Sequence, residues 1–313
     1  MPVIHSSYRP PFFLRNGHLS TIYPTLFRRR SSPSIVRERL ELPDGDFIDL
    51  DWSEQKCSRL AIIGHGLEGE SSAKYMLGLS VALRKRGWDT LAWNCRGCSG
   101  EPNRLLRSYH SGVSGDLGHV IAHAIPKGYQ SIALIGFSLG GNIVLKYLGE
   151  QGSNLHPEVK AGVTFSVPCD LTSSSLRLAE WDNKIYMSHF MDGLKNKMFP
   201  GRLNLNGIKS IKTFSQFDDR FTAPLNGFLD ARDYWLRASS KPHLEAIQIP
   251  SLMIQAANDP FLTEACFPKK IAKASKSLHL EIPRHGGHVG FISRGSEYWS
   301  ETRCAEFLEE IFP

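Results

Sequence analysis

The sequence contains no apolar run that approaches the roughly 18 residues of a membrane-spanning helix. Its first 19 residues also lack a basic segment followed by an apolar one, so we do not expect a secretory leader. Internal repeats and low-complexity tracts are absent as well. With 41% apolar and 22% charged residues among 313, the composition is typical of a soluble globular protein with a sizeable core, and we expect it in the cytoplasm.

Cysteine is scarce and scattered, with six residues at positions 57, 95, 98, 169, 266 and 304. Only Cys95 and Cys98 form a C-x-x-C pair, and a structural zinc site would need a second pair or histidines at ligand spacing. The pair lies in a segment rich in glycine and serine, whereas a redox pair usually opens a helix. We therefore expect free thiols in a reducing compartment, with neither a metal ion nor a cofactor.

Acidic residues are outnumbered, since 37 lysines and arginines against 31 aspartates and glutamates give a formal net charge of +6. Part of the excess is the run Arg28, Arg29 and Arg30, which lies close in sequence to several aromatic residues. We favour a solvated basic face over the alternative, a loose peripheral contact with an anionic membrane or an acidic substrate. No nucleic-acid-binding motif accompanies the charge, so we expect no nucleic acid partner.

Short apolar runs alternate with helical patterns along most of the chain. We predict strands at residues 38–52 (a hairpin around Asp44 and Gly45), 60–64, 89–93, 131–135, 161–167, 251–256 and 278–282. We predict helices at residues 75–86, 116–125 and 142–148. This alternation indicates an α/β fold with a mostly parallel, doubly wound sheet and helices on both faces.

One segment, between Pro168 and Pro250, interrupts the alternation. It is helix-like, rich in aromatic residues and too long for a loop of a compact domain. We predict that residues 169–249 form an inserted, mainly helical lid over the carboxyl ends of the strands, where doubly wound folds bind ligands. The core would then consist of residues 1–168, with an N-terminal extension at 1–36, and residues 250–313.

Residues 131–148 carry the strongest functional signal. An apolar run leads into Gly136-Phe137-Ser138-Leu139-Gly140, and a helical pattern follows at once, which is the layout of a nucleophile elbow. Such a turn holds the serine in a strained, left-handed conformation, and the two glycines remove side chains that would collide with the neighbouring strand and helix. We therefore predict Ser138 as a nucleophile.

A nucleophilic serine needs a base, and the base needs an orienting acid. Asp259 follows the predicted strand 251–256, and His285 and His288 follow the predicted strand 278–282. We favour His288 as the base because it comes after two glycines and before an apolar run. We favour Asp259 as the acid, and Asp170, just after strand 161–167, is the alternative.

An ester or amide substrate also needs two backbone N–H donors for its oxyanion. The residue after the nucleophile, Leu139, should supply one of them. The second should come from the loop His65-Gly66-Leu67, and we predict Leu67.

These motifs together resemble the YheT-type branch of the α/β hydrolases. The resemblance covers residues 12–291 and rests on R-N-x-H-L-x-T (15–21, with Gly17 in place of the usual proline), H-G-L-E-G (65–69), N-x-R-G-C-S-G-E-P-N-R (94–104), Y-H-S-G (109–112), G-F-S-L-G-G-N (136–142), F-D-D-x-F-T-A-P (217–224) and G-G-H-x-G-F (286–291). It implies an α/β-hydrolase fold and a serine carboxylesterase, best known on short acyl chains, that uses Ser138, Asp259 and His288. Eukaryotic relatives carry an N-terminal membrane anchor and act on lipids.

Other candidate residues have less specific patterns. Asp116, His119 and His123 share a helix face, but we expect no metal site there. We interpret Asp218 and Asp219 as a helix cap before Phe221 rather than a cation site. His18 and His110 either line the pocket or brace the lid.

The sequence thus predicts a serine carboxylesterase that acts on a small-molecule ester and needs no cofactor. A lipid-directed hydrolase (a monoacylglycerol lipase or phospholipase) and a thioesterase are alternatives with the same chemistry. A non-catalytic binding protein is the alternative of another class. Such proteins usually lack a member of the triad, whereas this sequence has a candidate for each.

Overall fold

The computed structural model describes residues 3–29, 33–199 and 201–312. In these ranges nine strands form one sheet: β1 (Val3–Ile4), β2 (Val36–Glu41), β3 (Phe47–Ser53), β4 (Arg59–Gly64), β5 (Asp89–Trp93), β6 (Ser131–Phe137), β7 (Val159–Phe165), β8 (Ser251–Ile254) and β9 (Leu278–Glu281). Their order across the sheet is β1-β9-β8-β7-β6-β4-β5-β3-β2. The pairs β2–β3 and β3–β5 are antiparallel and the other pairs are parallel, which confirms the predicted sheet and its hairpin.

Helices cover both faces of the sheet. They are α1 (Gly17–Phe27), α2 (Lys74–Arg84), α3 (Ser114–Ala124), α4 (Leu139–Gln151), α5 (Leu171–Leu178), α6 (Lys184–Asn196), α7 (Phe214–Phe217), α8 (Ala223–Leu225), α9 (Ala231–Ala238), α10 (Lys269–Ala274) and α11 (Trp299–Ile311). Alternate side chains of β6 point to opposite faces, so Ile132 and Leu134 pack with α3 and α4, while Ala133 and Ile135 pack with α2 and α11.

The stretch between β7 and β8 contains α5 to α9 and has a hydrophobic cluster of its own. Met187, Phe214, Phe217 and Trp235 lie at its centre, and Phe261 of the core joins it. The cluster explains why this segment is rich in aromatic residues. Its action as a lid stays a prediction, to which we return below.

Arg28 does not lie on a solvated face, so that part of the charge interpretation is wrong. Its guanidinium is buried, forms an ion pair with Glu301 and stacks over the ring of Tyr298, 4.0 Å from the ring centroid. Arg29 is exposed, and Arg30 falls outside the described residues. In the described ranges, no helix combines the length and the apolar character that crossing a bilayer requires.

Candidate active site

Ser138 occupies a sharp turn between β6 and α4, at the centre of the sheet. Its backbone has φ 51° and ψ −117°, the positive φ expected of a nucleophile elbow. The Ser138 N–H donates to the carbonyl of Phe165 at 2.8 Å, which ties the strained residue to β7. Helix α4 begins at the next residue, so its amino end lies directly beneath the serine hydroxyl.

Close backbone contacts require the glycines on either side of Ser138. A Cβ atom added at Gly136 would lie 2.4 Å from the carbonyl oxygen of Gly140. One added at Gly140 would lie 2.5 Å from the carbonyl oxygen of Gly64 and 2.6 Å from that of His65. Strand β6, helix α4 and the end of β4 therefore pack backbone to backbone, and this packing fixes the position of Ser138.

The structure brings Ser138, His288 and Asp259 together in one hydrogen-bonded chain. Ser138 Oγ lies 2.9 Å from His288 Nε2, and His288 Nδ1 lies 2.9 Å and 3.1 Å from the two carboxylate oxygens of Asp259. The carboxylate side chain is fully buried and also accepts a bond from the Phe261 N–H. Because a carboxylate accepts hydrogen bonds, it favours the proton on Nδ1 and leaves Nε2 to accept from the serine hydroxyl.

Two distant hydroxyl groups hold the loop that carries His288, and the sequence analysis assigned a role to neither. Thr21 Oγ1 accepts the His288 backbone N–H at 2.9 Å, and Ser166 Oγ accepts the N–H of Val289 at 2.9 Å. Thr21 belongs to the R-N-x-H-L-x-T element, whose presence was the available signal. A Cβ atom at Gly17, in the same element, would lie 2.1 Å from the carbonyl oxygen of Asn258, so α1 packs directly on this side of the site.

The alternative acid and base lie elsewhere. Asp170 caps α5 by accepting the Ser173 N–H and forms an ion pair with Lys241 at 3.0 Å. His285 donates through Nδ1 to the carbonyl of Arg15. Neither contacts Ser138, so the geometry favours Asp259 and His288.

Leu139 and Leu67 both line the cavity beside Ser138, as their predicted role requires. Within the described ranges, neither backbone N–H donates to another group of the chain. By contrast, the N–H groups beside Leu67 are taken, because Gly66 donates to the hydroxyl of Tyr75 and Glu68 donates to that of Tyr109. Two free N–H donors next to the serine are what an oxyanion needs.

The cavity that contains Ser138 and His288 has a volume of about 90 Å³. One wall is apolar and comes from the α5–α9 segment and Phe261, with Leu171, Leu178, Phe190, Leu194 and Phe214. The other wall is polar and includes His110, Ser111, Asp218, Thr222 and Tyr234.

The remaining histidines of the motifs have separate positions. His65 is fully buried, which lowers its pKa to about 4; it donates to the carbonyl of Gly66 and accepts the Cys95 N–H. His65 therefore joins the loop of Leu67 to the segment after β5. His18 contacts the hydroxyl of Tyr186 at 3.2 Å and so braces α1 against α6, whereas His110 lines the cavity.

The interpretation of Asp218 and Asp219 as a cap before Phe221 is wrong. Residues Asp218–Thr222 form a π-helix, and the Asp218 carboxyl is buried, accepting from the indole N–H of Trp235 at 2.8 Å and the hydroxyl of Thr222 at 2.6 Å. Asp219 instead accepts the N–H of Ala231, the first residue of α9.

Two of the three residues considered for metal binding have other partners. Asp116 binds the guanidinium of Arg96 at 2.8 Å, and His123 binds Glu38 at 2.9 Å. The described part of the chain holds no group of three or more His, Cys, Asp or Glu side chains placed to bind a metal ion. The six cysteines are unpaired thiols.

Comparison with known proteins identifies the family of the chain. The family model described as "alpha/beta hydrolase fold" matches residues 62–294. The "Putative esterase YheT" of Escherichia coli K12 is 38% identical over 310 residues, covering 94% of this chain and 90% of the relative. The human "Phospholipase ABHD3" is 28% identical over 329 residues, covering 99% and 78%. The chain therefore belongs to the α/β-hydrolase family, and within it to the YheT-like branch.

Solved structures agree on the fold. A crystal structure of the Pyrococcus furiosus esterase Pf2001 superimposes with a TM-score of 0.64 at 19% identity, covering 90% of this chain and 92% of that one. A putative aryl esterase from Burkholderia cenocepacia gives 0.55 at 17% identity, covering 88% and 99%.

Proposed function

We propose that the protein is a serine carboxylesterase. The observation that carries this proposal is the hydrogen-bonded chain from Ser138 Oγ through His288 to the buried carboxylate of Asp259. In a triad of this kind the histidine accepts the serine proton, and the carboxylate stabilises the resulting imidazolium.

The reaction proceeds in two halves. Ser138 Oγ bonds to the ester carbonyl carbon as its proton passes to His288 Nε2, and the oxyanion binds the N–H groups of Leu139 and Leu67. His288 then protonates the alcohol as it leaves, so an acyl-serine remains. A water molecule gives a proton to His288 Nε2 and attacks the acyl carbon, and the bond from that carbon to Ser138 Oγ then breaks as His288 returns the proton to Oγ and the acid leaves. Asp259 keeps the imidazole in one orientation and stabilises the imidazolium.

The size of the cavity supports short acyl esters as substrates. A water molecule needs about 10–15 Å³ on this scale, so about 90 Å³ gives room for roughly six to nine water-sized groups. We therefore propose that esters of about two to six acyl carbons are favoured, with residues 169–249 acting as the lid that closes the far end of the cavity.

Labelling with a fluorophosphonate probe, together with hydrolysis of nitrophenyl esters, tests the mechanism. Ser138→Ala should abolish labelling and lower kcat by about 10⁴-fold or more. Ser215→Ala, at an exposed serine of α7, is the matched control and should keep both. A folded Ser138→Ala protein that still turns over at the wild-type rate would disprove the mechanism.

A second pair of variants tests the base. His288→Ala should be inactive, because no other imidazole of the described residues contacts Ser138. His285→Ala should keep activity, since its imidazole bonds only to a backbone carbonyl. The reverse result would move the base to His285.

A lipid-directed hydrolase is the second candidate, and exposed apolar residues favour it. Leu19 and Leu26 of α1 are exposed, as are Phe12 in the preceding turn and Trp181 beside α6, which is 81% exposed. Leu19 and Leu26 lie on the same helix whose Thr21 holds the His288 loop. An exposed apolar patch of this kind is typical of a membrane or protein contact.

Sedimentation with anionic phospholipid vesicles separates the two candidates. If the lipid-directed function is correct, the protein should bind the vesicles, and Leu26→Ser should reduce binding. Leu229→Ser, at a fully exposed leucine in the loop before α9, is the matched control and should not. Absence of binding, with esterase activity on soluble substrates intact, would leave the carboxylesterase alone.

A further inference from the structure

The polar wall of the cavity contains a buried carboxyl group that the hydrolytic mechanism does not use. Asp218 is 6% exposed and lines the cavity that holds Ser138 and His288. In the described ranges it forms no ion pair with an arginine, lysine or histidine. Burying a carboxyl group without a cation is costly, and a neutral acceptor would serve the indole of Trp235 equally well.

The carboxyl group retains capacity to accept another hydrogen bond. One oxygen accepts from Thr222 and the other from Trp235, and each carboxylate oxygen can accept a second bond. The π-helix that carries Asp218 belongs to a class of distortion that is frequent at functional sites.

The same wall offers a ring N–H donor on His110 that has no acceptor among the described residues. The Gly112 N–H donates to His110 Nδ1 at 3.1 Å, so the proton of the neutral ring is on Nε2. Burial, reinforced by nearby arginines and a lysine, lowers the pKa of His110 to about 3, which keeps the ring neutral. Across the described residues, no group of the chain accepts a hydrogen bond from Nε2.

Tyr234 packs against His110 and lines the same cavity as Asp218. Its ring is perpendicular to that of His110, with centroids 5.8 Å apart, and its hydroxyl donates to Ser111 Oγ and accepts the Ser111 N–H, each at 3.0 Å. The single hydrogen of the tyrosine hydroxyl is therefore engaged, while the carboxyl of Asp218 can still accept from a ligand and the N–H of His110 can still donate to one.

We propose that Asp218 and His110 form a polar subsite that binds a hydroxyl group carried by the ester substrate. The hydroxyl donates to an oxygen of the Asp218 carboxyl group and accepts from His110 Nε2–H, so both groups are satisfied at once. An ammonium group would satisfy Asp218 but leave the His110 donor without an acceptor. Because the cavity is small, the hydroxyl lies only a few atoms from the carbonyl that Ser138 attacks. This inference rests on the proposed esterase function and names its substrate class as hydroxyl-bearing short-chain esters.

Hydrolysis of matched ester pairs, measured as proton release in a pH-stat, tests the proposal. One pair places the hydroxyl on the acyl side, as ethyl 3-hydroxybutanoate against ethyl butanoate. The other places it on the alcohol side, as 2-hydroxypropyl butanoate against propyl butanoate. In at least one pair at about pH 8.5, above the pKa of about 7 to which burial raises Asp218, kcat/KM of the wild type should be about tenfold to hundredfold higher for the hydroxylated ester, the range expected for a hydrogen bond to a charged group. Ethyl 3-aminobutanoate should gain less.

Two substitutions of His110 provide a control within one position. His110→Asn keeps an acceptor for the Gly112 N–H near the position of Nδ1, but it removes the donor that faces the cavity. The ratio of kcat/KM between the hydroxylated and the plain ester should therefore fall towards one. His110→Gln keeps a donor near the place of Nε2 and should retain most of the preference. Asp218→Asn should also reduce it. Since the readout is a ratio between two substrates, a loss of active protein does not imitate the effect.

The outcomes separate this inference from the proposed function. If Ser138-dependent hydrolysis occurs but both ratios are near one, or if His110→Asn and His110→Gln behave alike, the subsite is refuted and the esterase stands. A preference for the amine over the hydroxyl also refutes it. If wild type and Ser138→Ala are equally inactive on all five esters, the proposed function fails with it.

Discussion

The surroundings of Asp218 predict how the free energy of unfolding changes with pH, including the sign of the change. Burial raises the pKa of this carboxyl to about 7 from the usual 3.8, although the bonds from Thr222 and Trp235 act in the opposite direction. Below about pH 4 the group is protonated in the folded and the unfolded chain, and its contribution to stability is fully present. Between about pH 4 and pH 7 the unfolded chain releases the proton while the folded chain retains it. Stability should therefore fall by up to about 1.4 kcal/mol per pH unit, to a limit of about 4 kcal/mol.

Urea unfolding of the wild type and Asp218→Asn, from about pH 4.5 to about pH 8, measures this contribution. The difference in free energy of unfolding between the two proteins should shift in favour of the variant as the pH rises. Thr222→Val is the matched control, because it removes a bond that favours the ionised form and should extend the decline to higher pH. If the wild type and Asp218→Asn show parallel curves over this range, the carboxyl is not held neutral by burial and the reasoning is wrong.

Three other predictions concern the candidate site. Asp259→Asn should lower kcat by about 10²–10⁴-fold, because the amide leaves the imidazole in the wrong tautomer, whereas Asp170→Asn should affect stability alone; a larger kinetic loss in the latter would move the acid. Phe214→Ala should extend the acyl chain that the cavity accepts, because each methylene that fits adds up to about 0.8 kcal/mol of binding free energy. Trp181→Ala, at an exposed aromatic residue, is the control and should not extend it. A kcat/KM profile that Phe214→Ala leaves unchanged would exclude the lid as the selectivity element. Gly140→Ala should destabilise the fold by about 1–3 kcal/mol in thermal or urea unfolding, because its new Cβ would collide with the backbone of Gly64 and His65. Wild-type stability would contradict the packing described.

The strands of the core were readable from the sequence because their apolar runs are short, buried on both faces and bounded by turns. Several boundaries moved by a few residues, and two of these shifts have local reasons. Strand β7 ends at Phe165 rather than residue 167, because Ser166 takes a φ of 52° and leaves the sheet. Helix α4 begins at Leu139 rather than residue 142, because two glycines of low helix propensity hide its first turn. Strand β1 has only two residues, too few to show an alternating pattern.

Some features of the candidate site could likewise be predicted from the sequence and others could not. The order Ser138, Asp259, His288 and the position of each after its own strand predicted their meeting at one edge of the sheet. The hydroxyls that hold the His288 loop could not be predicted, since Thr21 and Ser166 reach it across 267 and 123 residues of sequence. Asp218 was misinterpreted because a polar pair before an aromatic residue resembles a cap, whereas here tertiary packing widens the turn into a π-helix.

The position of α1 bears on where the functional unit of this protein begins. The family match starts at residue 62, and a recombinant fragment cut there would retain all three members of the triad. It would nevertheless lose Thr21, whose hydroxyl accepts the His288 backbone N–H, and Gly17, which packs against the carbonyl of Asn258. The limits of the family match therefore leave out residues that position the site. A protein shortened to those limits would keep Ser138, Asp259 and His288 but not the contacts that align them.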